Sequence, residues 1–160
     1  LREAIRCDGD NTNAHCALAD ILFRKDTPAA EKEFREAIRC GENAYAHCHI
    51  GQIMMMRNDK DGEYFFREAI RCDANYACAH RYLGQALMLR HDYPAAEKAL
   101  RHSIRCDADN ALAHFKLGQV LLRRGDLDGA EREFQETIRC DPKHAAAQQL
   151  LQRRRLLRRI

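Results

Sequence analysis

Residues 111–144 read ALAHFKLGQVLLRRGDLDGAEREFQETIRCDPKH, and the apolar spacing of this stretch decides the fold. Leu117, Gly118 and Leu121 follow His114 at offsets of 3, 4 and 7, which share one face of an α-helix. Gly125-Asp126 then interrupts the pattern. Ala130, Phe134, Thr137 and Ile138 stripe a second helix beyond it. The stretch therefore predicts two antiparallel helices of about three turns each.

The same figure recurs along the chain. Arg-x-x-Ile-Arg-Cys stands at Arg2–Cys7, Arg35–Cys40, Arg67–Cys72 and Arg101–Cys106, and with Gln first at Gln135–Cys140. The cysteines step by 33, 32, 34 and 34 residues. Ala-His recurs at His15, His47, His80 and His114. Each His is followed by an apolar residue (Leu18, Ile50, Leu83, Leu117) and then a small one (Ala19, Gly51, Gly84, Gly118), where a second backbone is expected to come close. Pro28 and Pro94 suit the first turn of a second helix, where a missing N–H costs nothing. A fixed period of this length, read before anything else, means a stacked repeat.

The pattern resembles the tetratricopeptide repeat family. His114, Leu117, Gly118, Leu121, Ala130, Phe134 and Pro142 stand at the family spacing, with His in place of the family's Trp. The resemblance implies an all-α, right-handed superhelical solenoid of antiparallel helix pairs. It divides the single domain 1–160 into a half repeat 1–11, repeats 12–43, 44–76, 77–110 and 111–144, and a basic capping helix 145–160. Two irregularities stand out. His15 to Ala30 and His47 to Gly62 span 15 residues against 16 later, which predicts shorter inter-helix turns in the first two repeats. Cys40 to His47 spans 7 residues, not 8, which predicts a shorter junction between them. With Gly62 at a packing position, the second repeat is expected to be the least regular and least stable.

The charge balance follows the same division. The 160 residues carry 27 Lys+Arg against 24 Asp+Glu, a net of +3. Five arginines (Arg153, Arg154, Arg155, Arg158, Arg159) lie in residues 145–160, which hold no acid. Without them 22 basic and 24 acidic side chains remain, a net of −2, so the body is not a basic nucleic-acid module. No apolar run approaches the roughly 20 residues that span a bilayer. The chain opens without Met and in mid-pattern, as a piece of a longer protein would.

Eight cysteines and eight histidines raise metal and redox chemistry. Five of the cysteines repeat at one position, where Cys acts as a small buried hydrophobe. Equivalent helices pack about 8–10 Å apart, beyond the roughly 7 Å a disulfide tolerates. Free thiols in this number point to an intracellular reducing compartment, the cytoplasm first. An organelle stays open because the N-terminus reads as truncated. The repeated histidines are expected to pack inward with one ring nitrogen bonded. His47, Cys48 and His49 are helix neighbours pointing about 100° apart, so they do not converge. With no Cys-x-x-Cys and no His-x-x-x-His, the expected cofactors and metals are none. No phosphate loop or nucleophile elbow is present and Ser103 is the only serine, so the expectation is a non-enzyme. Glu3–Arg6, Glu36–Arg39, Glu68–Arg71 and Glu136–Arg139 predict ion pairs along an outer face, each worth a few tenths of a kcal/mol.

The resemblance further implies that the first helices line an inner, concave groove that binds peptides. Its lining maps to Asn13, Cys16, Asp20, Phe23 and Arg24, then to Tyr45, Cys48, Gln52, Met55 and Met56. It continues through Cys78, Arg81, Gln85, Met88 and Leu89 to Leu112, Phe115, Gln119, Leu122 and Arg123. Flexible methionines repack around a partner, and Gln52, Gln85 and Gln119 are placed to bond an extended backbone. Asp20 and Gln52 stand where chaperone-binding relatives carry clamp asparagines. Ala17, His49, Tyr82 and Lys116 stand where others carry an asparagine ladder. Neither mode carries over. The leading reading is a non-catalytic scaffold holding a peptide or helix of another protein. The alternatives are a structural subunit of a larger assembly, contacting neighbours by its edges and basic helix, and nucleic-acid or anionic-membrane contact through the arginines.

Overall fold

The computed structural model describes residues 11–157, with side chains through Arg154. The half repeat 1–11 apart from Asn11, Arg158, Arg159 and the side chain of Arg155 lie outside the described residues. Among the described residues every element is a helix. They are α1 (Thr12–Phe23), α2 (Thr27–Cys40), α3 (Ala44–Met56), α4 (Gly62–Cys72), α5 (Ala77–Leu89), α6 (Tyr93–Cys106), α7 (Ala111–Arg124), α8 (Leu127–Cys140) and α9 (Ala145–Leu157).

Local chemistry sets the starts. Asn11, Asn43 and Asn110 accept the backbone N–H three residues on and cap α1, α3 and α7. Asp26, Asp92 and Asp126 do the same for α2, α6 and α8. Such a cap is worth about 1 kcal/mol. Asp61, ahead of α4, makes no side-chain cap bond, and α4 has 11 residues where α2, α6 and α8 each have 14.

The junction 41–43 has three residues, against four at 73–76, 107–110 and 141–144. The shorter inter-helix turns expected of the first two repeats are not found. The connectors 24–26 and 57–61 have three and five residues, against three and two at 90–92 and 125–126. The missing residue comes out of the helices, since α1 has 12 residues and α7 has 14.

The contacts divide the chain into residues 1–79 and 80–160. In the first unit Phe34, Ile50, Ile53 and Phe66 are fully buried. In the second, Leu100, Leu117 and Val120 are, with Phe134 and Leu121 nearly so. Each such side chain stabilises its unit by about 1.5–3 kcal/mol. Side chains come closest to the small residues of the first helices, and at Gly84 the backbone carbonyl oxygen of Ala96 would also lie 3.3 Å from an added Cβ. A Cβ at Gly51 would lie 2.6 Å from Phe66, at Gly84 2.6 Å from Leu100, and at Gly118 2.6 Å from Phe134. At Gly62 the close neighbour is backbone, the carbonyl oxygen of Gly51 at 3.1 Å.

Within each unit a second-helix carboxylate reaches the next helix pair. Glu31 accepts from Arg57 at 2.6 Å and also from Arg35 of its own helix. Glu97 bonds Arg124 and Arg101 in the same way. Glu131 meets Arg154 of α9 at 2.7 Å. The expected pairs Glu36–Arg39, Glu68–Arg71 and Glu136–Arg139 form at 2.8, 3.0 and 2.7 Å. Glu3–Arg6 lies outside the described residues. Among those residues no helix is long and apolar enough to cross a membrane.

Candidate interaction faces and a row of histidines

The residues mapped to the concave face fall into three groups. Asn13, Asp20, Arg24 and Met56 in the first unit, and Leu89, Leu112 and Arg123 in the second, are exposed. Phe23, Tyr45, Gln52, Met55 and Cys78, and Gln85, Met88, Phe115, Gln119 and Leu122, are half-buried. Cys16, Cys48 and Arg81 are buried, and Cys48 shows no surface at all. These three pack inside the helix layers, so they present little to a partner.

Several of the half-buried groups already serve the fold. The Tyr45 hydroxyl donates to Asp20 Oδ1 at 2.7 Å. Burial first, and then that carboxylate, push the phenol well above its ordinary pKa. Phe23, Phe34 and Tyr45 surround His49, with Phe34 stacked on it at 5.0 Å between ring centroids. Burial lowers the pKa of His49, which holds it neutral. Gln52 donates to the Cys48 sulfur at 3.8 Å, so this amide is engaged internally. Phe115 packs on Phe134 and on His144, with centroids 5.7 and 4.4 Å away. The Arg81 guanidinium lies 4.0 Å over the Tyr82 ring. The outward groups include three large apolar ones: Met56 is 69% exposed, Leu89 65% and Leu112 48%.

The basic helix is not uniformly in water. Ala147 and Leu151 of α9 are buried against α8. Arg154 is half-buried, donating to the Leu127 carbonyl and to Asp128 and pairing with Glu131. Arg153 is exposed. Between these helices lies a cavity of about 470 Å³ lined by Leu122, Leu127, Ala130, Phe134, Leu150 and Leu151, with Glu131, Arg153 and Arg154 at its polar part.

The histidines at the repeated position are all buried, but their surroundings differ. His15 Nδ1 lies 2.7 Å from Glu33 Oε2, and His114 Nδ1 lies 2.7 Å from Glu133 Oε2. His114 Nε2 also faces the Ala108 carbonyl oxygen at 3.1 Å. Two acceptors on two ring nitrogens favour the imidazolium. The Glu133 bond is the main cause that raises the His114 pKa, against the opposing effect of burial. In the second repeat Phe65 replaces the glutamate, and the buried His47 Nδ1 has no hydrogen-bond partner among the described residues. Burial lowers the His47 pKa. In the third repeat Ala99 stands there, and His80 stacks on His102 with centroids 4.0 Å apart.

His80, His102 and Cys106 offer ligand atoms that all lie within 4.8 Å of one another. Sequence reading passed over this group. His102 and Cys106 share a helix face at i, i+4, but the third member comes from another helix. The repeated cysteines are also less buried than expected: Cys40, Cys72, Cys106 and Cys140 are half-buried.

Residues 83–145 match the tetratricopeptide repeat family model. No curated protein matches the chain by sequence. Solved structures share its fold. MamA is 19% identical with a TM-score of 0.74, over 91% of this chain and 86% of that one. YrrB, described as a TPR protein with an unusual peptide-binding site, is 18% identical with a TM-score of 0.72, over 93% of this chain and 78% of that one. The Cut9–Hcn1 hetero-tetramer of the APC/C is 17% identical with a TM-score of 0.84, over 95% of this chain and 31% of the other. Residues 83–145 carry the tetratricopeptide repeat pattern, and the helix pairs of the described residues share the fold of these solved structures.

Proposed function

We propose that the chain is a non-catalytic scaffold that binds a peptide or helix of another protein along the outward side chains of its first helices. The observation that carries this reading is the exposure of Met56, Leu89 and Leu112, large apolar groups on first helices. The half-buried Met55, Met88 and Leu122 accompany them. Methionine and leucine at such places adapt to a partner's side chains. Exposed Asn13, Asp20 and Arg123 supply polar contacts at the rim, and Gln85 and Gln119 remain candidates for backbone recognition. The peptide-binding site named for YrrB supports the same class of partner. Cys16, Cys48 and Arg81 act from inside, by holding the helices that carry these groups.

The test is partner recovery with Met56→Asp and Leu112→Asp, alone and together, beside Tyr64→Asp, exposed on the second helix α4, as a control. The first two are expected to lose the partner at unchanged helicity, and the control to keep it. Undiminished recovery by the double variant refutes the reading.

A second reading, a segment of a larger assembly, is favoured by the Cut9–Hcn1 likeness, where the matching region is 31% of the other chain. In that case Arg153→Glu, at the cavity beside α9, disrupts assembly while the first-helix variants do not. Nucleic-acid contact is weakened as a reading, because Arg154 is already paired with Asp128 and Glu131.

A further inference from the structure

We propose that His80, His102 and Cys106 form a binding site for a zinc-class divalent ion, against the metal-free expectation from sequence. One position differs from repeat to repeat. Glu33 and Glu133 occupy the Nδ1 side of His15 and His114 and leave no room for a cation there. Phe65 closes that side in the second repeat. Only in the third, among the described repeats, is the residue a small one, Ala99.

A second change coincides with it. His102 stands where the other repeats carry Glu36, Glu68 and Glu136, each paired with the arginine three residues on. His102 keeps a version of that pair, with Arg105 donating to its Nδ1 at 2.8 Å. Cys106 is the repeated cysteine, one turn further along α6. The repeat frame thus supplies His80 and Cys106, and the two local changes, Ala99 and His102, bring a second imidazole between them.

The geometry is close to that of a bound ion. All donor atoms lie within 4.8 Å of one another, and the two rings stack at an interplanar angle of 24°. Zinc bonds of about 2.0–2.3 Å set tetrahedral donors roughly 3.3–3.8 Å apart, so closure requires small rotations of half-buried His102 and Cys106. His80, 7% exposed, is the fixed member. Two imidazoles and a thiolate select zinc or cobalt over magnesium or calcium, which need oxygen ligands. Three protein ligands leave a fourth position for water or a partner's side chain. On binding, the Cys106 thiol gives its proton to solvent. If the ion takes Nδ1 of His102, the exposed Arg105 swings into water.

Cobalt(II) titration of the reduced, metal-free full chain tests this. One equivalent is expected to produce the thiolate-to-cobalt absorption and the visible bands of a tetrahedral ion, displaced by zinc. Cys106→Ala should abolish the thiolate band. His102→Glu restores the residue of the other repeats and should also lose the site at unchanged helicity, while Cys140→Ala should keep it. Absence of the bands in the parent chain, or their persistence in Cys106→Ala, overturns the proposal.

Discussion

Replacing Glu133 by Gln preserves the shape of the side chain and removes its charge, which isolates the His114 pair. Their side chains are 24% and 8% exposed, and the bond is 2.7 Å long. A hydrogen bond to a charged group contributes about 1.5–3 kcal/mol, and a neutral one nearer 1 kcal/mol. The His114 pKa is raised in the folded state, chiefly by the Glu133 bond. A raised histidine pKa stabilises the fold fully below the unfolded value of about 6.5, and that stability is lost as pH rises through the folded value. Urea unfolding of parent and Glu133→Gln, measured from pH 6 to alkaline pH, should therefore show a difference of about 0.5–2 kcal/mol at the acid end. It should shrink as pH rises. His47 supplies the opposite sign, because burial lowers its pKa. Its neutral ring is tolerated above the unfolded value, and stability is lost as pH falls below it. A His47→Gln chain should accordingly be less sensitive to acid than the parent. A pH-independent difference for Glu133→Gln, or one that grows with pH, would refute the imidazolium assignment.

Three further outcomes are expected. Gly84→Ala gains about 1 kcal/mol of helix propensity, yet its Cβ meets the fully buried Leu100 at 2.6 Å. Overpacking costs about 1–3 kcal/mol, so the urea midpoint should fall. Asp92→Ala removes the bond from Ala95 and should cost about 1 kcal/mol, whereas Asp61→Ala, with no cap bond to lose, should be near neutral by the same assay. Hydrogen exchange should find α3 and α4 the least protected helices of the described residues. Equal protection in α7 and α8 would contradict the view of the second repeat as the weakest.

The helix pairs were legible because a period of 32 to 34 residues repeats both the His-anchored stripe and the Cys-terminated one. The i, i+3 Glu–Arg pairs were legible for the same reason, as one helix decides them. What was not legible depends on two helices at once. Cys48 looked like a groove residue because its offset from the packing stripe is correct, yet neighbouring helices cover it. Tyr45 looked available, but Asp20 of the preceding repeat takes its hydroxyl. The His80, His102 and Cys106 convergence depends on the small size of Ala99, which no spacing rule records. The connector lengths went astray because a missing residue can leave a helix as easily as a turn.

Glu31 and Glu97 each hold one arginine of their own helix and one from the helix pair that follows. At these two joints the leading repeat supplies the acceptor and the following repeat the donor. A duplication of a period that holds both halves creates a new joint already furnished with them. An array of tandem copies of residues 111–144 would set Glu131 of one copy against Arg124 of the next, the relation Glu97 and Arg124 already have. Growth by copying is then chemically neutral at the seams, and the number of repeats is free to drift while the surface of each first helix is shaped separately.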